Sequence, residues 1–134
     1  MLLFFHMKRL SRQFISWLAV VLWLGVIFYF SSQPNLASDF QPLWDLIFRK
    51  IAHVAEYFVL AYLWLKALRA HGLSPAAAIS LTVILAVTVA GLDEWHQYFV
   101  LGRQGKIWDV LIDCLGVISL LVLEHRYGKN LLNH

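Results

Sequence analysis

Charged residues are scarce in this sequence of 134 residues. Lysine, arginine, aspartate and glutamate together make up 14% of the chain, whereas soluble domains contain about 25%. Hydrophobic residues make up 60% of the chain. A water-soluble protein of this size would have to expose larger apolar patches than soluble monomers normally carry. The composition therefore favours a protein whose solvent is largely lipid.

The sequence also lacks the short motifs that mark several enzyme classes. It contains one cysteine, Cys114, so an intrachain disulfide and a CxxC motif are both excluded. Cys114 itself is interpreted as a small packing residue. There is no glycine-rich phosphate loop, no serine nucleophile elbow and no internal repeat. The length indicates one domain, which we take to cover residues 1–134.

The net charge of +3 does not indicate a nucleic-acid partner. The basic residues are spread along the chain and acidic residues lie between them, so the sequence contains no basic patch of the kind that binds a phosphate backbone. We interpret the lysines and arginines instead as signals that orient the chain in a membrane.

Four apolar runs predict an all-α bundle of four transmembrane helices. They are Phe14–Phe30, Lys50–Ala70, Pro75–Tyr98 and Ile107–Glu124. Each has on the order of 20 residues, which gives about 30 Å of helix and matches the hydrocarbon thickness of a bilayer. The first run is long for the apolar region of a signal peptide and no Ala-x-Ala site follows it, so we expect it to be retained.

The distribution of lysine and arginine predicts the orientation. With both termini in the cytoplasm, seven of these residues lie inside and four outside, as the positive-inside rule requires. The inner set is Lys8, Arg9, Arg12, Lys66, Arg69, Arg126 and Lys129, and the outer set is Arg49, Lys50, Arg103 and Lys106. We therefore expect a multi-pass protein of the cytoplasmic (inner) membrane with N- and C-termini in the cytoplasm.

The segment before the second span, from Ser31 to Phe48, has two interpretations. Its hydrophobic residues follow the spacing of one helix face: Phe40, Leu43, Trp44, Ile47 and Phe48. The spacing is typical of a short helix on the membrane surface. The alternative is an ordinary loop whose hydrophobic side chains pack on the bundle.

Polar and ionisable residues are concentrated at the predicted outer ends of three helices. The second helix begins with Lys50, His53, Glu56 and Tyr57; the third ends with Asp93, Glu94, His96 and Gln97; Arg103 lies in the loop; the fourth begins with Asp109 and Asp113. An acidic residue facing lipid costs about 2.5–3.5 kcal/mol at mid-bilayer. Helical phase places one polar stripe on each helix, so we expect the stripes to line one outward-facing polar pocket. Asp93 and Gln97 are i, i+4 partners on the third helix. Gly116 continues the polar face of the fourth, where a glycine allows a close approach of a neighbouring backbone.

Several of these segments resemble the VanZ-like family of small bacterial membrane proteins. The similar segments are SSQP (31–34), KIAHVAEYFVLAYL (50–63), DEWHQYFVLGR (93–103) and DVLIDCLG (109–116). The polar positions that match the family's signature are Lys50, His53, Glu56, Tyr57, Asp93, Glu94, Gln97, Arg103 and Asp109. Asp113 and Leu101 depart from it, since asparagine and proline are expected there. The resemblance implies a role in the cell envelope, linked to resistance against teicoplanin-type glycopeptides, and does not supply a reaction.

The chemistry of these side chains suggests a site for a phosphate-bearing lipid or lipid-linked envelope precursor. The candidate catalytic residues are His53, Glu56, Asp93, Glu94 and Asp109, with His53 as a general acid or base. The candidate substrate-binding residues are Lys50, Tyr57, Gln97, Arg103 and Asp113, among which arginine and lysine would hold phosphate. We predict no cofactor and assign no metal site. Magnesium is the ion that these carboxylates would suit; a zinc site at the HxxE spacing of His53 and Glu56 is the weaker reading.

Two other interpretations stay open, so the sequence does not decide whether the protein is an enzyme. The first is a non-catalytic binding or modulating protein that sequesters a lipid or antibiotic, or contacts a wall-synthesis enzyme. A second copy of the chain is the other partner considered. The second is a structural ion-pair network that pins the helices in register. In that network Lys50 or Arg103 would pair with Asp93 or Asp109, and His53 would pair with Glu56.

Overall fold

The protein is all-helical in the residues that the computed structural model describes, which are 2–34, 42–103 and 105–131. These residues form four helices, and no strand is found among them. The helices are α1 (Leu2–Ser31), α2 (Pro42–Ala70), α3 (Pro75–Gln97) and α4 (Ile107–Leu131). The predicted all-α class is therefore confirmed.

Three helices are long and apolar enough to cross a membrane within the described part of the chain. The qualifying segments are Leu10–Ser31 of α1, Leu46–Ala70 of α2 and all of α3. The helix α4 has 25 residues, which gives a length of about 37 Å at about 1.5 Å of rise per residue. Acidic residues, however, interrupt its apolar sequence. Its crossing of the membrane stays a prediction.

The second helix begins earlier than the sequence suggested. Leu43, Trp44, Ile47 and Phe48 form the first turns of α2, which continues without a break to Ala70. Pro42 starts the helix, where a proline lacks only an N–H that would have no helical partner. The separate interfacial helix is therefore not confirmed, and Phe40 lies outside the described residues.

The helix α2 is the centre of the bundle and contacts each of the other three helices. It supplies half of the buried hydrophobic side chains, including Tyr57, Leu60 and Leu65. It approaches α4 very closely at Gly116, where a Cβ would lie 2.2 Å from the carbonyl oxygen of Val54. The prediction that Gly116 allows a close backbone approach is confirmed.

The ends of the bundle differ in chemistry. At one end, Arg69 Nη1 of α2 lies 2.7 Å from Glu124 Oε1 of α4, and Gln13 Nε2 of α1 donates to the Ala70 carbonyl at 3.0 Å. The opposite end, where α1 and α3 finish and α2 and α4 begin, contains the residues predicted to form the pocket. We call it the polar end.

Candidate functional site

Two ion pairs join α2 to α4 at the polar end. Lys50 of α2 pairs with Asp109 at the start of α4. One turn further along, His53 Nδ1 lies 3.0 Å from Asp113 Oδ1. The predicted pairing of Lys50 with Asp109 is thus present, whereas His53 contacts Asp113 and not the Glu56 of the network interpretation.

Asp113 holds the His53 ring in a fixed orientation. The Asp113 side chain is completely buried, and that of His53 is 15% exposed. Because Nδ1 contacts the carboxylate, Nε2 is the ring nitrogen left to meet a ligand. An imidazole oriented by a buried carboxylate is the arrangement that a general acid or base requires.

The end of α3 carries a second polar pair. Gln97 Nε2 donates a hydrogen bond of 2.8 Å to Asp93 Oδ2, and both residues are buried. The predicted i, i+4 partnership of Asp93 and Gln97 is therefore confirmed.

Glu94 fixes the loop between α3 and α4. Its Oε2 accepts a hydrogen bond of 2.7 Å from the backbone N–H of Lys106. At Gly105 a Cβ would lie 2.2 Å from the Glu94 carbonyl oxygen, so only glycine fits there. Glu94 thus holds the loop against the helix end, although the sequence analysis proposed it for catalysis.

Arg103 links this loop to the end of α1. Its Nε donates to the Gln33 carbonyl and its Nη2 to the Phe30 carbonyl, each at 2.9 Å. Carbonyls at the end of a helix have no partner within the helix, so a guanidinium there satisfies them. Burial lowers the pKa of Arg103, and the positive charge of Arg49 lowers it further.

Two cavities open between the helices at the polar end. The larger, of about 660 Å³, is lined by Tyr29, Phe30, Ser31, Gln33, Pro34, Phe48, Arg49, Ala52, His53, Glu56, Asp93 and Arg103. The smaller, of about 320 Å³, is lined by Leu46, Arg49, Lys50, His53, Gln97, Gly102, Arg103, Lys106 and Asp109. Arg49, His53 and Arg103 line both cavities, so the two are neighbours across a basic wall.

Most of the predicted site residues line one of these cavities, and three do not. The exceptions are Tyr57, Glu94 and Asp113, which are buried behind the cavity walls. The Tyr57 hydroxyl has no hydrogen-bond partner among the described residues. Tyr57 was proposed to bind substrate, and the structure places it in the packed interior.

The structure adds wall residues that the sequence analysis did not assign to the site. Arg49 and Lys106 had been counted only as orientation signals, and Phe48 only as part of a surface stripe. The sequence did offer a signal for assigning them to the site. Phe48 and Arg49 directly precede Lys50, and Lys106 follows Arg103 by three residues. The centroid of the His96 ring lies 4.7 Å from that of Phe28 at the end of α1.

The described residues contain no group of three or more histidine, cysteine, aspartate or glutamate side chains placed to bind a metal ion. His53 and Glu56 therefore lack further such ligands among these residues.

Comparison with known proteins supports the resemblance seen in the motifs. The sequence profile of a family described as VanZ/LLP1 matches residues 14–125. No curated protein and no solved structure matches the chain. The match includes all four motif segments and every residue that lines the two cavities.

Proposed function

The chain belongs to the VanZ/LLP1 family, and from this membership and the geometry of the polar end we propose that it binds a phosphate-bearing amphiphile of the cell envelope. The family and the apolar helices make it a membrane protein. In the proposal the anionic headgroup occupies the cavities at the polar end, and the hydrophobic chain remains in contact with lipid.

The observation that carries the proposal is the composition of the larger cavity. Two guanidinium groups, Arg49 and Arg103, share its wall with the aromatic rings of Tyr29, Phe30 and Phe48. Arginine recognises phosphate through a planar fork of N–H donors, whereas aromatic rings suit a hydrocarbon chain. A ligand that satisfies both parts of the wall is an amphiphile with an anionic head.

His53 gives the site a further hydrogen-bonding group. Its ring lines both cavities while Nδ1 is held by Asp113. When the ring is protonated, Nε2 would donate to a phosphate oxygen; when it is neutral, the same atom would accept a proton. Glu56 and Asp93 on the wall of the larger cavity offer carboxylates for a magnesium ion that accompanies the phosphate.

Binding to purified protein in lipid nanodiscs tests the proposal. We expect a polyprenyl phosphate to bind at least about tenfold more tightly than the matching polyprenol, because a hydrogen bond to a charged group contributes about 1.5–3 kcal/mol. Arg103→Gln should remove most of this preference. The matched control is Arg126→Gln, which removes an exposed arginine from the other end of α4. Equal binding of the alcohol and the phosphate would overturn the proposal.

A second candidate function is supported by the two ion pairs between α2 and α4. Lys50–Asp109 and His53–Asp113 would pin these helices in register in a protein without chemistry of its own. Conservative changes His53→Gln and Asp109→Asn separate the candidates. Unchanged melting with lost phosphate binding favours the ligand site, whereas a large loss of melting temperature with retained binding favours the structural network.

Glycopeptide resistance is the cellular role that we propose with this site, which in the proposal faces outward from the cytoplasmic membrane. Expression of the chain in a susceptible host should raise the concentration of teicoplanin needed to stop growth. Arg103→Gln should abolish the increase at matched expression, and Arg126→Gln should not. An increase that survives Arg103→Gln would separate resistance from the cavities.

A further inference from the structure

The larger cavity has acidic groups as well as basic ones on its wall. Glu56 of α2 and Asp93 of α3 both line it, and neither carboxylate forms a salt bridge within the described part of the chain. Asp93 Oδ2 accepts a hydrogen bond from Gln97, a neutral partner that brings no positive charge. A carboxylate held away from bulk water is costly unless a positive group reaches it. The wall therefore has a place for a cation at Glu56 and Asp93.

Arg103 provides a place for an anion in the same cavity. Its guanidinium is fixed at the end of α1 by hydrogen bonds from Nε and Nη2 to the carbonyls of Gln33 and Phe30. A guanidinium has five N–H donors, so three of them remain for a ligand. Arg103 forms no salt bridge with Glu56 or Asp93 among the described side chains. The opposite charges of the wall thus stand apart, and a ligand can lie between them.

The two carboxylates lie deeper in the bundle than the guanidinium. Glu56 follows Phe48 by eight residues along α2, which is about 12 Å of helix at about 1.5 Å per residue. Asp93 precedes the end of α3 at Gln97 by about 6 Å on the same scale. Arg103 lies beyond the end of α3 and beside the end of α1. From the interior toward the polar end, the wall therefore offers negative charge first and positive charge second.

Aromatic side chains at the helix ends provide a route from this cavity to lipid. Tyr29 and Phe30 end α1, Phe48 belongs to the first turns of α2, and each of the three is more than half exposed. All three line the larger cavity. A hydrocarbon chain attached to a headgroup in the cavity would leave beside these rings.

We propose that the ligand is a zwitterionic phospholipid whose headgroup carries a phosphate and a primary ammonium group, as in phosphatidylethanolamine. The ammonium group lies between Glu56 and Asp93, the phosphate contacts Arg103, and the acyl chains leave past Phe48. This proposal rests on the proposed function and specifies the headgroup. In such a lipid the ammonium group is at the tip, the phosphate follows and the chains come last, which is the order of partners along the wall. The volume of about 660 Å³ equals the share of roughly twenty waters, which leaves room for this headgroup.

The test measures binding to the full chain in a non-ionic detergent with three lipids that have the same acyl chains. They are phosphatidylethanolamine, its N-acetylated form and the matching diacylglycerol. N-acetylation removes the positive charge and retains the phosphate. With a metal chelator present, we expect phosphatidylethanolamine to bind at least about tenfold more tightly than the N-acetylated form, because hydrogen bonds between charged groups are the strong ones.

Two variants separate the parts of the headgroup. Glu56→Gln retains the size of the side chain and should remove most of the preference for the free amine, without weakening binding of the N-acetylated lipid. Arg103→Gln should weaken both phospholipids by the same factor. The matched control is Glu124→Gln, which removes a carboxylate at the opposite end of the bundle, where Glu124 pairs with Arg69. A loss of stability there would affect all three lipids alike, so the ratio should not change.

The outcomes separate this proposal from the proposed function. Equal binding of phosphatidylethanolamine and its N-acetylated form, both tighter than diacylglycerol, would overturn the ammonium assignment and leave the phosphate site in place. The same holds if magnesium raises binding of the N-acetylated lipid to that of phosphatidylethanolamine, because a metal ion would then occupy the cation's place. A preference for the free amine that survives Glu56→Gln would overturn its placement beside Glu56. Equal binding of all three lipids would overturn both proposals.

Discussion

At the level of single residues, the contact between His53 and Asp113 joins α2 to α4 and orients the imidazole at the polar end. The carboxylate is completely buried, and its Oδ2 has no hydrogen-bond partner among the described residues. A buried acid with one partner is costly to keep unless that contact matters for folding or for ligand binding.

Changing Asp113 tests how much of this contact is structural. Asp113→Leu leaves His53 Nδ1 without its acceptor, so we expect the free energy of unfolding to fall by about 1–3 kcal/mol. Asp113→Asn keeps an oxygen in place, so the free energy of unfolding should fall much less than in the leucine variant. Denaturation in detergent measures both, with the exposed Ser119→Ala as control. A leucine variant as stable as the parent would contradict the structural importance of the contact.

Single residues also show what could be predicted from the sequence. Asp93 and Gln97 lie four apart on one helix, so periodicity alone predicted their contact. The sequence suggested Glu56, on the same helix, as the partner of His53, whereas the observed partner, Asp113, lies on another helix. Periodicity gives the face of a residue but not the rotation of two helices about each other, so this choice required the structure. For the same reason periodicity could not predict that Tyr57 is buried behind the cavity wall and does not line the cavity.

At the level of the helices, the packing of α2 against α4 determines the geometry of the site, because both ion pairs, Lys50–Asp109 and His53–Asp113, join these two helices. Gly116 permits this contact, because a Cβ would lie 2.2 Å from the Val54 carbonyl oxygen and 2.8 Å from the Phe58 nitrogen. These are backbone atoms, which cannot move aside as a side chain can.

Comparing the stability of two glycine-to-alanine variants tests the close contact between α2 and α4. Gly116→Ala should force α2 and α4 apart and lower the free energy of unfolding by about 1–3 kcal/mol. Gly91→Ala is the matched change on α3, where a Cβ would meet nothing within 4 Å. It should leave stability unchanged or raise it by up to about 1 kcal/mol, since alanine favours a helix. Melting curves of the two variants that coincide would contradict the packing of α2 on α4.

The helices themselves were largely predictable because apolar runs bounded by polar and proline-containing segments have few alternatives. Ser74 and Pro75 mark the start of α3, where the Ser74 hydroxyl accepts from the Ala77 N–H at 3.3 Å. The start of α2 was not predictable. Leu43 to Phe48 carry an amphipathic pattern that is the same whether a helix lies on the membrane or continues into a span.

At the scale of the whole molecule, the proposed ligand site can face outward only if α4 crosses the membrane and the polar end lies on the outer side. Cysteine labelling tests both in a Cys114→Ser background. A membrane-impermeant maleimide applied to intact cells should label Leu101→Cys, in the loop at the polar end, and should not label Tyr127→Cys near the end of α4. Labelling of both positions would show that α4 does not cross, and labelling of Tyr127→Cys alone would invert the orientation.

The composition predicted a membrane protein and the motifs predicted its family, because both depend on residue identity. The division of the polar end into two cavities was not predictable, since it depends on the linkage of the loop to α1 through Arg103. That contact joins residues 70 positions apart in the sequence, and no periodic pattern indicates it.

The most direct measurement is a structure of the protein in lipid with a saturating polyprenyl phosphate. We predict density for phosphorus within hydrogen-bond distance of Arg103, beside the ring of His53, with the chain running past Phe48 toward the bilayer. Density for the ligand only on the outer surface of the bundle, with the polar end unchanged, would contradict the account.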